Sequence, residues 1–146
     1  MALYLAIVLL AESIPLQAYL PGADEVAGTY AGTALGLAIA HVYAFGISTR
    51  LVTHRGLTAE AWWNAGAQIL AAAAVAVVAI VPFLVFSGDV DLAFTVSGCV
   101  LAALIAVAGY GSSRGAGGSI RHSLMIAAVT LGAAALVVVI KATLAH

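Results

Sequence analysis

Charge is what this sequence has least of. Five Lys and Arg and six Asp and Glu make up 8% of its 146 residues, against about 25% in soluble domains. That excludes an ordinary water-soluble globular protein, whose surface could not be solvated with so few charges. Cysteine occurs once, at Cys99, inside an apolar run, so neither an intrachain disulfide nor a multi-thiolate metal site can form. The residue reads as a small core side chain. Also missing are a Ser/His/Asp set, a metal-protease helix and a cluster of thiols, so no enzyme and no cofactor is expected. No nucleic-acid partner is expected either. No internal repeat of the kind that builds many transporters is visible.

What is present is apolar sequence. Hydrophobic residues make up 64% of the chain and the mean hydropathy is +1.16. At about 20 apolar residues per crossing, the length accommodates five transmembrane helices and no additional soluble domain. The runs are continuous and rich in Ala, Val and Leu, which excludes a barrel of short strands alternating in polarity. Five spans follow: Ala2 to Leu20, Ala27 to Leu51, Trp62 to Phe86, Leu92 to Tyr110 and Ile120 to Leu144. The fold class is all-α and polytopic, with residues 1–146 as a single transmembrane domain. Met1 to Ala11 has no basic flank, and its apolar run continues to Leu20, so it reads as a true span and not as a signal peptide. Turns are expected at Pro21-Gly22, His54-Arg55-Gly56, Ser87-Gly88-Asp89 and the glycine-rich Gly111 to Ser119. Thr58, Asp89 or Asp91, and Ser119 are the expected N-caps.

Basic residues near span ends are retained on the cytoplasmic side. Arg50, Arg55, Arg114 and Arg121 fall on one side of the five-span arrangement, and Asp24, Glu25, Asp89 and Asp91 on the other. The N-terminus is therefore expected in the cytoplasm and the C-terminus outside. Trp62, Trp63 and Tyr110 would mark the inner interface, with Tyr19, Tyr30, Phe83 and Phe86 at the outer one.

The second span carries the strongest packing signal. Gly28, Gly32, Gly36, Ala40 and Ala44 lie on one i, i+4 row, the pattern that lets another helix backbone approach closely. Either the same chain or a second copy would fill it. His41 lies on the flank of this row and is expected to face protein.

Glu12 sits at the midpoint of the first span, where a charged carboxylate costs ~2.5 to 3.5 kcal/mol. It has to be protonated, paired or wet. His41 comes to a similar depth on the antiparallel second span, which allows a hydrogen bond between the two. Pro15 frees the carbonyl of Ala11 beside Glu12. Gln68 and Asn64 on the third span, Ser13 and Gln17 on the first, and His54 could extend the pair into a polar file across the membrane. Ser97, Thr95, Thr130 and Thr143 are expected to bond carbonyls of their own preceding turns. Gly109 to Gly115 superficially resembles a phosphate loop, yet follows no strand and lacks Gly-Lys-Ser/Thr, so it reads as a flexible turn.

With Ala40-His41-Val42-Tyr43-Ala44 in its second span, the chain resembles small uncharacterised bacterial five-span membrane proteins. It is also distantly similar to the vacuolar iron transporter family, in its five spans, its second helix ending in Ser48-Thr49-Arg50, and its Arg114 to Arg121 turn before an Ala/Gly-rich fifth helix. That resemblance implies a proton-coupled divalent-metal transporter working as a dimer, with Glu12 and His41 near the family's first-span and second-span ligands. The expectation is thus a small transporter or channel-like protein of a bacterial inner membrane. It would work on a divalent cation or proton through Glu12 and His41, with Gln68, Gln17 and Asn64 along the route and a homodimer or higher homo-oligomer as the assembly. The alternative is a non-catalytic scaffold or accessory subunit in which the same residues lock helix packing.

Overall fold

The computed structural model describes residues 1–19, 22–53 and 58–144. Among them are five helices and no strand: α1 (Ala2–Tyr19), α2 (Ala23–Thr53), α3 (Ala59–Val85), α4 (Val90–Gly115) and α5 (Ile120–Leu144). Each is long and apolar enough to cross a membrane. Such runs become helices because in hydrocarbon every backbone N–H and C=O has to be satisfied within the segment. His54 and Arg55 lie outside the described residues.

The expected caps are in place. Thr58 Oγ1 accepts from the Ala61 amide at 3.2 Å, Asp89 Oδ1 from Leu92 at 3.0 Å, and Ser119 Oγ from His122 at 3.3 Å. Helix α4 runs further than its hydropathy implied. Residues 111–115, read as turn from their glycines, are helical, because Ser112 bonds back to the Gly109 carbonyl and the backbone ladder continues through Ala116 to Ser112. The helix ends at Gly115, and Gly117, just past its C-cap Ala116, is the one glycine with positive φ (82°) among the described residues. The Gly118 amide donates to the Ser113 carbonyl and that of Gly117 to Arg114, a Schellman ending that satisfies two otherwise orphaned acceptors.

Helices α2, α3, α4 and α5 pack in series, and α1 packs against all four others. Between Met1 and Leu16, Tyr4 alone is exposed. The shortest helix is thus the axis of the bundle, and its one charged side chain, Glu12, is carried to the interior with it. Helix α3 contributes a buried face of Ala65, Ala72, Val75, Ala76, Ala79, Pro82 and Phe83. Helix α4 supplies Ala93, Phe94, Ser97, Leu101, Ile105 and Gly109 at a spacing near four. Lipid is as apolar as these side chains, so close packing and not water exclusion drives their contact.

Two expected placements are reversed. Tyr30 and Phe83, expected as markers of the outer interface, are fully buried against neighbouring helices. Their rings meet edge to face at 5.7 Å, and Phe83 meets Phe94 in the same way at 4.9 Å. Cys99, expected in the core, is exposed, because it lies about 200° round α4 from both Ser97 and Leu101 at 100° per residue.

Candidate functional site

Glu12 lies three residues before Pro15 on α1, at the seam with α2. Its carboxylate accepts from the Thr33 hydroxyl, with oxygen separations of 3.0 and 3.3 Å. One turn from Thr33, toward the start of α2, Tyr30 points its hydroxyl to the same place. That oxygen is buried and has no hydrogen-bond partner. It lies within electrostatic reach of Glu12, and the hydroxyls of Ser13 on α1 and Ser97 on α4 are close by. Three helices therefore bring five oxygen-bearing side chains together inside the bundle.

Helical spacing explains the convergence. Val26, Tyr30 and Ala34 form the buried i, i+4 line of α2, and Thr33 sits beside it toward α1. Phe83 of α3 packs edge to face on the Tyr30 ring, and Phe94 of α4 packs in the same way on Phe83. Edge-to-face pairs contribute about 0.5 to 1.5 kcal/mol each beyond burial. Ser97 was expected to bond within its own helix. Instead it donates across to the Ala79 carbonyl of α3 at 2.9 Å, in the turn that Pro82 interrupts. Thr95, Thr130 and Thr143 do bond back to their own helices.

The Glu12 to His41 pair is not formed. His41 Nε2 bonds Gln68 Oε1 of α3, while Glu12 bonds Thr33. Thr33 and His41 are eight residues apart on α2, about 12 Å at 1.5 Å per residue. Similar depth counted from span midpoints was misleading, because the two helices are unequal in length: Glu12 lies seven residues from the end of α1 at Tyr19, and His41 eighteen from the start of α2 at Ala23. Between the two clusters lie buried Ala34 and half-buried Leu37 and Ala38, so the expected polar file is interrupted by apolar side chains. Gln68 and Asn64 line a recess of about 480 Å³ with Met1, Ala2, Phe45, Ala67 and Ala71. Gln17, exposed in the last turn of α1, joins neither cluster.

The glycine row is also not where α2 packs. Gly28, Gly32, Gly36, Ala40 and Ala44 are all exposed, and a Cβ built on any of the three glycines meets nothing within 4 Å. The face that packs is the opposite one, through Val26, Tyr30 and Ala34, with His41 half-buried below them.

Among the described residues no group of three or more His, Cys, Asp or Glu side chains is placed to hold a metal ion. Tyr30 and Thr33 were missed from sequence because the span was started at Ala27. Starting it at Ala23, where Asp24 and Glu25 favour a helix N-terminus, carries Tyr30 about 6 Å deeper at 1.5 Å per residue. No family model, no curated protein and no solved structure matches the chain.

Proposed function

We propose that this protein, whose five apolar helices fit a multi-pass membrane protein, transports a small cation or proton, with Glu12 as the exchangeable charge. One observation carries this reading: the single carboxylate of α1 is half-buried at the seam with α2, on the helix that touches all others, near the buried Tyr30 hydroxyl. Ionisable side chains inside a membrane are rare and costly, and they mark ion pathways and proton relays. The His41 and Gln68 pair, adjoining the recess at the Met1 end, is the second station in this reading. Its place is a bacterial inner membrane, with that end in the cytoplasm.

A scaffold or accessory role has its own support. The Thr33 to Glu12 hydrogen bond ties α1 to α2, the most sparsely packed of its four neighbours, as a structural lock would. Proton and cation flux in proteoliposomes, measured beside melting temperature, separates the two. Transport predicts that Glu12→Gln abolishes flux and leaves the protein folded, because Gln keeps the size and loses the exchangeable charge. A scaffold predicts no flux in any variant. Glu12→Ala would then destabilise by ~1 to 3 kcal/mol through the unpaired partner, with Glu12→Gln nearly harmless.

A further inference from the structure

We propose that a recess between α2 and α3, at the Met1 end of the bundle, holds one anionic phospholipid, with an acyl chain lying along α2 and the phosphate on Arg50. This goes beyond the transport reading and does not depend on it.

The shape of the recess carries the inference. It measures about 250 Å³ and is walled by Val42, Tyr43, Gly46 and Ile47 of α2, with Arg50 of the same helix and Trp62 of α3. Val42, Gly46 and Arg50 follow one i, i+4 row, so eight residues separate the apolar end from the charged one, about 12 Å at 1.5 Å per residue. Gly46, without a side chain, leaves the hollow midway. Tyr43 and Ile47 are exposed beside the row, which keeps the recess open to surrounding lipid. Arg50 stands in the last turn of α2 and Trp62 near the start of α3, where the helices leave the hydrocarbon and a Trp ring sits at headgroup level. A molecule that fills this space is apolar along its length and anionic at one end. Free phosphate would use the Arg50 end alone.

Charge then selects the headgroup. A base in the last turn of a helix complements the macrodipole wherever it stands on that turn, which does not account for its place at the mouth of a hollow. Arg50 is exposed, and among the described residues no carboxylate pairs with it. Residues 54–57, which follow in sequence, add His54 and Arg55 and no acid. Glu60, the nearest acid in sequence, lies about 200° round α3 from Trp62 at 100° per residue. The guanidinium is left to pair with a phosphate, whose oxygens match its fork of donors. Basic pockets between transmembrane helices bind anionic headgroups on this principle. Two other recesses supply the contrast. The one beside Pro82, between α3 and α4, is walled by Val, Pro and Phe alone, and the one beside Leu3 by Ala, Val and Leu alone. Either would take any acyl chain, whereas the α2 and α3 recess adds a charge.

The test uses the full chain in mild detergent, with melting temperature followed against three probes. Dioleoylphosphatidylglycerol carries the chains and a net negative charge, dioleoylphosphatidylcholine the same chains with no net charge, and inorganic phosphate the anion alone. The expected result is saturable stabilisation by phosphatidylglycerol at a concentration about fivefold lower than phosphatidylcholine requires, and none by inorganic phosphate. Arg50→Gln should remove that preference and leave the response to phosphatidylcholine unchanged. Arg121→Gln removes an exposed base at the same end that lines none of the three recesses, and should keep the preference. Gly46→Leu fills the hollow and should weaken both lipids about threefold. Trp62→Ala, at an exposed position, takes its place if Gly46→Leu does not fold. Equal effects of the two lipids, a preference that survives Arg50→Gln, or lipid binding unchanged with the hollow filled or its Trp wall removed would overturn the site. Loss of the preference in Arg121→Gln would show general attraction to a basic surface and overturn it too. Stabilisation by inorganic phosphate equal to that by phosphatidylglycerol would overturn the lipid as occupant.

Discussion

Helices α2 and α4 both carry glycine, and they use it in opposite ways. Along α2, the regular row Gly28, Gly32, Gly36 lies open and Val26, Tyr30 and Ala34 are that helix's buried hydrophobic residues, whereas α4 buries seven of its 26. On α4 a solitary glycine does the close packing. A Cβ at Gly109 would stand 2.8 Å from Thr130 Oγ1 and 3.2 Å from the Ala127 Cα of α5. One turn on, Ser113 and Ser123 join the same two helices with a buried hydroxyl bond of 3.1 Å. A small-residue row shows where a helix backbone can be approached, and this pair of helices shows that it does not tell what approaches it. Gly109 belongs to no such row, yet the α4 and α5 backbones meet there.

The sharpest way to break this contrast is at Gly109. Replacing it with Leu drives a side chain into the α5 backbone, and the protein is expected not to fold or to lose most of its thermal stability in detergent. Gly109→Ala adds only the Cβ, and Thr130 has to give way, at about 1 to 3 kcal/mol by the usual cost of overpacking. A Gly109→Leu protein melting like the parent would show that α4 and α5 do not cross here. The next effect is conformational. Gly117 ends α4 at a φ of 82°, and an L side chain in that region costs about 1 to 2 kcal/mol, so Gly117→Ala should lower the melting temperature by a smaller amount. Its added Cβ meets nothing within 4 Å, so the loss would come from the backbone alone.

The sequence makes the membrane class and the five crossings legible because continuous apolar runs and their caps are local signals. Thr58, Asp89 and Ser119 act where their spacing to the next apolar run placed them. Glu12 was also visible, since a lone carboxylate in mid-span is conspicuous. Its partners were not, because partnership depends on how far each helix slides along its neighbour. Placing the start of α2 four residues late moved Tyr30 to the interface in the reading, and levelling two helices of unequal length by their midpoints brought His41 opposite Glu12. Burial direction failed for a related reason. With apolar residues on every side of these helices, hydropathy does not distinguish lipid from protein: Cys99 was assigned to the core and is exposed, and of the two fillings left open for the α2 row, the described residues of its own chain do not supply one. In the structure, side-chain size and shape settle which face packs inward. Tyr30, Phe83 and Phe94 interlock, and small residues flank them.

The smallest expected effect on folding is the one that tests α2. Gly32→Leu adds a side chain where nothing of this chain stands within 4 Å, and Leu is a better helix former than Gly by up to about 1 kcal/mol. The monomer fold and melting temperature should be unchanged or slightly raised, in contrast to Gly109→Leu. The informative readout is oligomer size, by light scattering in detergent and crosslinking in vesicles. With no partner for the row among the described residues of its own chain, a second copy or lipid is left to cover it. A homodimer seated there requires the two backbones to come close, and Leu at position 32 would hold them apart, so dimer should give way to monomer while the fold stays intact. Unchanged assembly would assign the row to lipid. A large loss of stability in the monomer would mean that α2 turns its glycines inward, and with them the line that places Tyr30 and Thr33 against Glu12.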